Sequence, residues 1–509
     1  MTLALALASA ASPRHSVSMS VPLRALVAML VAFFALDNVL LLSFLGQPPL
    51  LVAALAVIGP PLLGFIAYRV TPGQCRIGVT TILICFLTAA VLLMLAGEGR
   101  LFYAPTDWQI RDALLADMGR HRWPFDYWLN GRSQIVRAPI GMYLLPALLG
   151  GASQFGRDWM LLAQNSLVLG LLFALGSTLF EGRRARWIAL TVFVMFSGLD
   201  ILGNIILQWA TGEARWDHIE DWGAGYQYSA HITQLFWVPQ HAIAGWTVAL
   251  TYLLWRRNLV PIGIFGATLP LVALWSPLIL FGAVPFALFA GLRALGSRSW
   301  NVLDLSLCLI AVTIAAPALI YLSADSAAVG GGLSPPTAII YVLIILFEVT
   351  PFLLPVLHDR NNGVDRTSLI ISGICLFLMP SWSIGMFNDF QTRASIMPLA
   401  ILAVAYGDWA TRVTAWREKV SFCVIIVFGS VTGVIGIANG VRFAATPVPN
   451  CSVAGVWERQ STRHSPHNSY FAARDAFPFS ITPVERVNAA NPAQCWDRQW
   501  RTPTYTPVK

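Results

Sequence analysis

Charge is what this chain of 509 residues has least of. Asp, Glu, Lys and Arg together make up 11%, and lysine occurs only at Lys419 and Lys509. Soluble domains carry about 25% charged residues, so the deficit excludes an ordinary water-soluble fold. Nothing in the chain resembles a nucleic-acid module. Cysteine is sparse, at seven residues, and no CxxC or Cys/His spacing suggests zinc. There is no internal repeat of the kind transporters carry. The alternating short strands of a membrane barrel are absent too.

What is present is apolar: 56% of residues are hydrophobic, in runs reaching the ~18–20 residues that cross a bilayer. The reading is an all-α polytopic membrane protein of about 13–14 transmembrane helices. The spans fall near 22–45, 48–68, 78–96, 138–155, 159–180, 187–207, 232–254, 259–275, 277–296, 301–322, 337–357, 367–386, 395–411 and 420–440. Residues 1–20 lack the positive start of a signal peptide and read as an uncleaved N-terminus. The large polar stretches are 97–137, 208–231 and a tail, giving a division into 1–441 and a small extracytoplasmic 442–509.

Arginines in short loops set the orientation. Arg14, Arg24, Arg69 and Arg76 put the N-terminus and the second short loop inside, which delivers 97–137 outside. Counting back from the other end, five groups fit the inside: Arg412, Arg417 and Lys419; Arg360 and Arg366; Arg293 and Arg298; Arg256 and Arg257; and Arg183, Arg184 and Arg186. That leaves 208–231, 323–336, 385–394 and the tail outside. The two counts differ by one crossing, and the conflict falls at 138–155. This segment is short and carries Pro139, Pro146 and Gly150–Gly151, so an irregular or partial span is expected there. An outside tail would sit in an oxidising compartment, where Cys451 and Cys495 can pair; two free thiols are the alternative.

The loop at 97–137 holds the chemistry. Within it Asp107 lies at the membrane surface, beside Trp108, and Arg111 lies one helical turn on. Residues 107–119 have the pattern of an amphipathic helix along the interface. In the bland reading, Asp107 caps that helix or pairs with Arg111. Beyond it come Arg122-Trp123-Pro124, an aromatic stretch, and Arg137-Ala138-Pro139-Ile140 opening an apolar segment. This order resembles the first extracytoplasmic loop of GT-C glycosyltransferases, in particular the aminoarabinose transferase and protein O-mannosyltransferase group. There, Lys-Pro-Pro-Leu stands where Arg137–Ile140 stands here. The likeness covers roughly 100–180. The chain departs from the pattern in having one Asp for the usual acidic pair, Arg for Lys, and two extra spans before the loop.

The resemblance implies sugar transfer from a polyprenyl-phosphate donor to a lipid-linked or cell-envelope glycan, with inversion, at the periplasmic side of a bacterial inner membrane. Asp107 would be the general base. Arg111 and Arg137 are natural phosphate partners, since guanidinium binds phosphate bidentately; Arg137 could equally be an interfacial anchor. Arg393 lies on the side otherwise poor in arginine and takes the donor-phosphate role by resemblance, while Asp389 either meets substrate or pairs with it.

Trp108, Tyr226, Gln227, His231, Gln240 and His241 are candidate sugar contacts, against an interfacial aromatic belt as the plain alternative. Glu213, Asp217, His218, Glu220 and Asp221 read as mostly solvated charge. No cofactor is certain, and a divalent metal is left open. Two further readings are an O-antigen polymerase or ligase-like enzyme, which would centre on a late loop, and a transporter or flippase without catalysis.

Overall fold

The computed structural model describes residues 19–129, 131–213, 215–216, 218–297, 300–385, 388–460, 470–487 and 495–500. Residues 1–18, with Arg14, and also Asp217 and Arg298, lie outside the described residues.

The chain is a bundle of apolar helices. A short strand, β1 (Ser20–Pro22), pairs antiparallel with β2 (Arg76–Gly78). Between them run α1 (Leu23–Phe44) and α2 (Pro49–Val70), 22 residues each, about 33 Å at 1.5 Å per residue and so matched to a ~30 Å hydrocarbon core. One side of α2 leaves Leu55, Val57, Ile58, Leu62 and Phe65 exposed, as a lipid-facing helix must. Polar residues within α1 point inward: Asp37 accepts from the Trp275 indole at 2.7 Å, and Asn38 donates to the Leu271 carbonyl at 2.8 Å.

Next come α3 (Val79–Leu95), α4 (Trp108–Arg120), strands β3 (Phe125–Leu129) and β4 (Arg132–Val136), α5 (Gly141–Gly150), α6 (Gln154–Gly176), α7 (Arg183–Val194) and α8 (Asp200–Thr211). The second half holds α9 (His231–Trp237), α10 (Pro239–Arg256), α11 (Ile262–Leu271), α12 (Ile279–Ser297) and α13 (Val302–Ser323). Then follow β5 (Gly331–Leu333), α14 (Ala338–Ile344), α15 (Thr350–His358), α16 (Arg366–Leu378) and β6 (Trp382–Ile384). The chain closes with α17 (Asp389–Ala394), α18 (Ile396–Arg412), α19 (Trp416–Gly429), α20 (Val431–Arg442), α21 (Val453–Gln460), β7 (Phe471–Ala473) and β8 (Glu485–Val487).

Among the described residues, 7 helices are long and apolar enough to cross a membrane, fewer than the 13–14 expected. The difference lies in passes that are short or broken. α3 has 17 residues, the run at 187–207 breaks between α7 and α8, and α11 ends in a tight turn before Trp275. The expected span at 138–155 is only the 10-residue α5. That is about 15 Å long, half of what crossing needs. Its N-terminal side follows β4, and at its other end the Gly151 carbonyl accepts from Arg157 at 2.5 Å, with Gly119 of α4 packed against the same arginine. Both ends of α5 therefore lie at the end of the bundle that carries α4, and α6 makes the crossing. The charge counts then agree.

The two ends of the bundle differ. One is basic and knotted by ion pairs: Arg256–Asp365 at 2.8 Å, and Arg412 to Asp359 at 2.7 Å and Asp408 at 2.6 Å. The other carries α4 and a four-stranded sheet in the order β7-β4-β3-β8. β3 and β4 form an antiparallel hairpin in which Leu129 faces Arg132, while β8 joins β3 in parallel. The hairpin is not among the expected elements, although Asn130-Gly131 between aromatic and β-branched residues is a strong turn signal. Two of the four strands come from the tail, and the Asp117 carboxylate accepts from the Val453 N–H at 2.7 Å. The tail is thus packed against α4 and the β3–β4 hairpin. Cys451 and Cys495 are disulfide-bonded.

Candidate functional site

The sheet-bearing end gathers polar side chains from five parts of the sequence. The start of α4 supplies Asp107 and Arg111. Their side chains meet at 3.5 Å, and Arg111 also donates to the Asp107 carbonyl at 3.2 Å. Asp107 stands at the N-terminal cap position but makes no side-chain capping bond. Short α17 supplies a second pair of the same design, Asp389–Arg393 at 3.3 Å, again four residues apart. In each pair the acid is the open member and the arginine the enclosed one: the side chains are 42% and 4% exposed for Asp107 and Arg111, and 41% and 14% for Asp389 and Arg393. The tail adds Tyr470, α5 adds Tyr143 and the start of α10 adds His241.

These groups act on one another. Arg111 is buried, which by itself lowers its pKa, but Tyr143, Asp107, Tyr470 and Asp389 outweigh this and raise it. Asp389 is pushed up by burial and by the charge of Asp107, against the pull of Arg393 and Arg111. His241 lies in range of both arginines and shares a hydrogen bond of 2.7 Å with Ser276. Asp107 and Asp389 are thus close enough for their charges to interact, and each side chain is partly exposed. A cavity of about 60 Å³ lies alongside, lined by Thr106, His218, Thr233 and Trp237 among others. The close seat of α17 depends on Gly282 of α12: a Cβ there would lie 1.9 Å from the Ala394 carbonyl oxygen.

Other residues singled out in the sequence sit elsewhere. Arg137 has a neighbouring environment: burial lowers its pKa, Tyr321 and Asp325 oppose this, and its backbone N–H donates to the Tyr470 carbonyl at 2.7 Å. Trp108 is 2% exposed and its indole donates to the Phe236 carbonyl at 2.6 Å. It ties α4 to α9 and offers no free face to a sugar. His231 is likewise enclosed, packed on Phe193, Phe196 and Trp246, and hydrogen-bonded to the Phe193 carbonyl at 2.6 Å. Tyr226 donates to the Ser334 carbonyl at 2.8 Å, and the amide of Gln227 lies 3.3 Å from the Ser229 hydroxyl. Gln240 is buried, its amide oxygen without a hydrogen-bond partner among the described residues.

Of the acids of 208–231, Glu213 is exposed as expected, while Glu220 and Asp221 are less solvated. Glu220 is fully buried and accepts from the Ala230 N–H at 2.6 Å, and Asp221 pairs with Arg215. His218 stacks near Trp237, with ring centroids 5.0 Å apart; burial lowers its pKa while Asp221 and Asp107 pull the other way. His218, not Tyr226, is what this loop brings towards Asp107.

Helix α4 is anchored by buried charge that sequence reasoning passes over. Arg100 bridges Asp112 at 3.0 Å and Asp158 at 2.8 Å. Burial pushes Asp112 up to about 7 and Asp117 up to about 6, and Glu98, hydrogen-bonded to Asn165 at 2.9 Å, up to about 8. The expected amphipathic helix is there, but its polar side is covered by protein rather than water. The signal for this is weak: Asp112 and Asp117 look like ordinary surface acids until α6 and the tail close over them. Among the described residues, no group of three or more His, Cys, Asp or Glu is arranged to hold a metal ion.

Comparison with known proteins returns no match: no family model, no curated protein and no solved structure matches the chain.

Proposed function

We propose that this membrane protein is a GT-C-type glycosyltransferase that moves a sugar from a polyprenyl-phosphate donor to a lipid-linked or envelope glycan. The observation that carries the reading is the pair of Asp–Arg couples, Asp107–Arg111 and Asp389–Arg393, whose charges interact at one end of the helix bundle. Polar groups inside a membrane protein tend to mark its functional pathway. Here two acids are open and two cations stand behind them, which suits a reaction that removes a proton and releases an anion.

In this reading Asp107 accepts the proton of the acceptor hydroxyl as the oxygen attacks the anomeric carbon. The bond from that carbon to the phosphate oxygen breaks, and the lipid phosphate leaves with the electron pair. Arg393 and Arg111 stabilise the charge that develops on it. Asp389 takes the place of the second acid that 97–137 lacks, and orients Arg393. Arg137, set in a separate environment, guides the donor headgroup rather than the reacting phosphate. The basic end of the bundle would face the cytoplasm, putting Asp107 and Asp389 on the periplasmic side of a bacterial inner membrane.

The test is sugar transfer by the purified full-length protein, with a polyprenyl-phosphate sugar as donor. Asp107→Asn should lower turnover by about 10²–10⁴-fold with expression and donor binding retained. Wild-type turnover by Asp107→Asn would remove Asp107 as the base. An Asp389→Asn variant that weakens donor affinity but keeps turnover would assign Asp389 to positioning.

A further inference from the structure

A second cavity, bigger than the one beside Thr106, lies at the opposite end of the molecule from Asp107. It has a volume of about 340 Å³ and is lined by α3, α6, α7, α10 and α18, which places it in the range of ~300–1,000 Å³ typical of ligand sites. Its body is apolar, formed by side chains such as Leu172, Phe173, Leu190 and Leu250, and its mouth carries Arg183 and Arg186.

Three features make this mouth a site for an anion. Both arginines are exposed, and among the described residues neither has a carboxylate within ion-pair distance. They occupy the first turn of α7, where the helix dipole disfavours cations and favours a negative charge, so their placement does not serve the helix. Trp187, 43% exposed, sits beside them; tryptophan at that level marks the headgroup depth of a bilayer. The outer side of α3 leaves Leu83 and Leu87 exposed next to the cavity, so its surroundings are hydrocarbon rather than water.

We infer that this cavity binds one anionic phospholipid, with an acyl chain in the apolar body and the phosphate on Arg183 and Arg186. The site is independent of the sugar-transfer reading. A basic mouth over an apolar slot between membrane helices suits such a headgroup. The lipid would brace α7 against α6, where the protein itself leaves a gap.

The experiment is native mass spectrometry of the full-length protein, purified in mild detergent and titrated with phosphatidylglycerol or phosphatidylethanolamine of matched chains. Wild type should retain phosphatidylglycerol more strongly by roughly thirtyfold, since each arginine near the headgroup contributes about fivefold. The double variant Arg183→Gln/Arg186→Gln should lose that preference, and Arg183→Lys/Arg186→Lys should keep most of it. Gly176→Leu should cut retention of both lipids: a Cβ at Gly176 meets only a Leu250 methyl, at 3.9 Å, so the larger side chain grows into the cavity without a backbone clash. Equal retention of the two lipids by wild type, unchanged retention in the glutamine variant or in Gly176→Leu, or a polyprenyl phosphate as the lipid carried through purification would each overturn the proposal.

Discussion

Asp107 and Asp117 stand ten residues apart on one helix and behave oppositely. The Asp107 side chain is partly exposed and pairs with Arg111. Asp117 is sealed in, accepting from the Tyr127 hydroxyl at 2.7 Å and the Val453 N–H at 2.7 Å, and burial outweighs those bonds to bring its pKa to about 6. The unfolded value is near 3.9, so the folded protein holds this proton more tightly. Its stabilising contribution is therefore fully present below about pH 4 and lost as the pH rises through about 6. The shift corresponds to about 3 kcal/mol. Wild type should lose stability relative to Asp117→Asn between pH 4 and 7, read as the difference between their melting temperatures in detergent; parallel curves would show that Asp117 titrates normally.

At the scale of elements, α5 decides the topology. A helix of 10 residues cannot cross the hydrocarbon core, and the Gly150–Gly151 pair ends it early. Residues on its two sides should then be reached from the same face of the membrane. In a cysteine-free background, Arg132→Cys and Ala152→Cys should both label with a membrane-impermeant maleimide added to one side of sealed vesicles. Labelling from opposite sides would make α5 a crossing helix and reverse everything after it. Prolines and glycines make this element legible in the sequence itself. The hairpin of β3 and β4 is equally legible in its Asn-Gly turn, yet its pairing with β7 and β8 is not, because those short strands have no pattern of their own.

Across the whole molecule, the tail works as a closing strap. It supplies two strands of the sheet, the Val453 contact with α4, and Tyr470 beside Arg111. The Cys451–Cys495 disulfide spans 44 residues, and loop-closure entropy puts its contribution at about 4 kcal/mol. Cys451→Ser/Cys495→Ser should therefore make the tail sensitive to limited proteolysis while the bundle stays resistant; unchanged digestion would mean that the sheet alone secures it.

The sequence by itself determined the membrane class, the basic and polar ends, and the Asp107–Arg111 spacing. Each follows from local physics: hydrocarbon rejects charge over a run of some twenty residues, and a helix sets its own 3.6-residue repeat. Only the tertiary structure decided which polar residues come together. Asp107 and Asp389 are separated by most of the chain, and nothing local distinguishes them from Asp112 or Asp117. Trp108 and His231 look like ligand contacts because their types suit sugars, but neighbouring helices bury them. Exposure and proximity belong to the packing of distant elements, and no stretch of sequence holds that information alone.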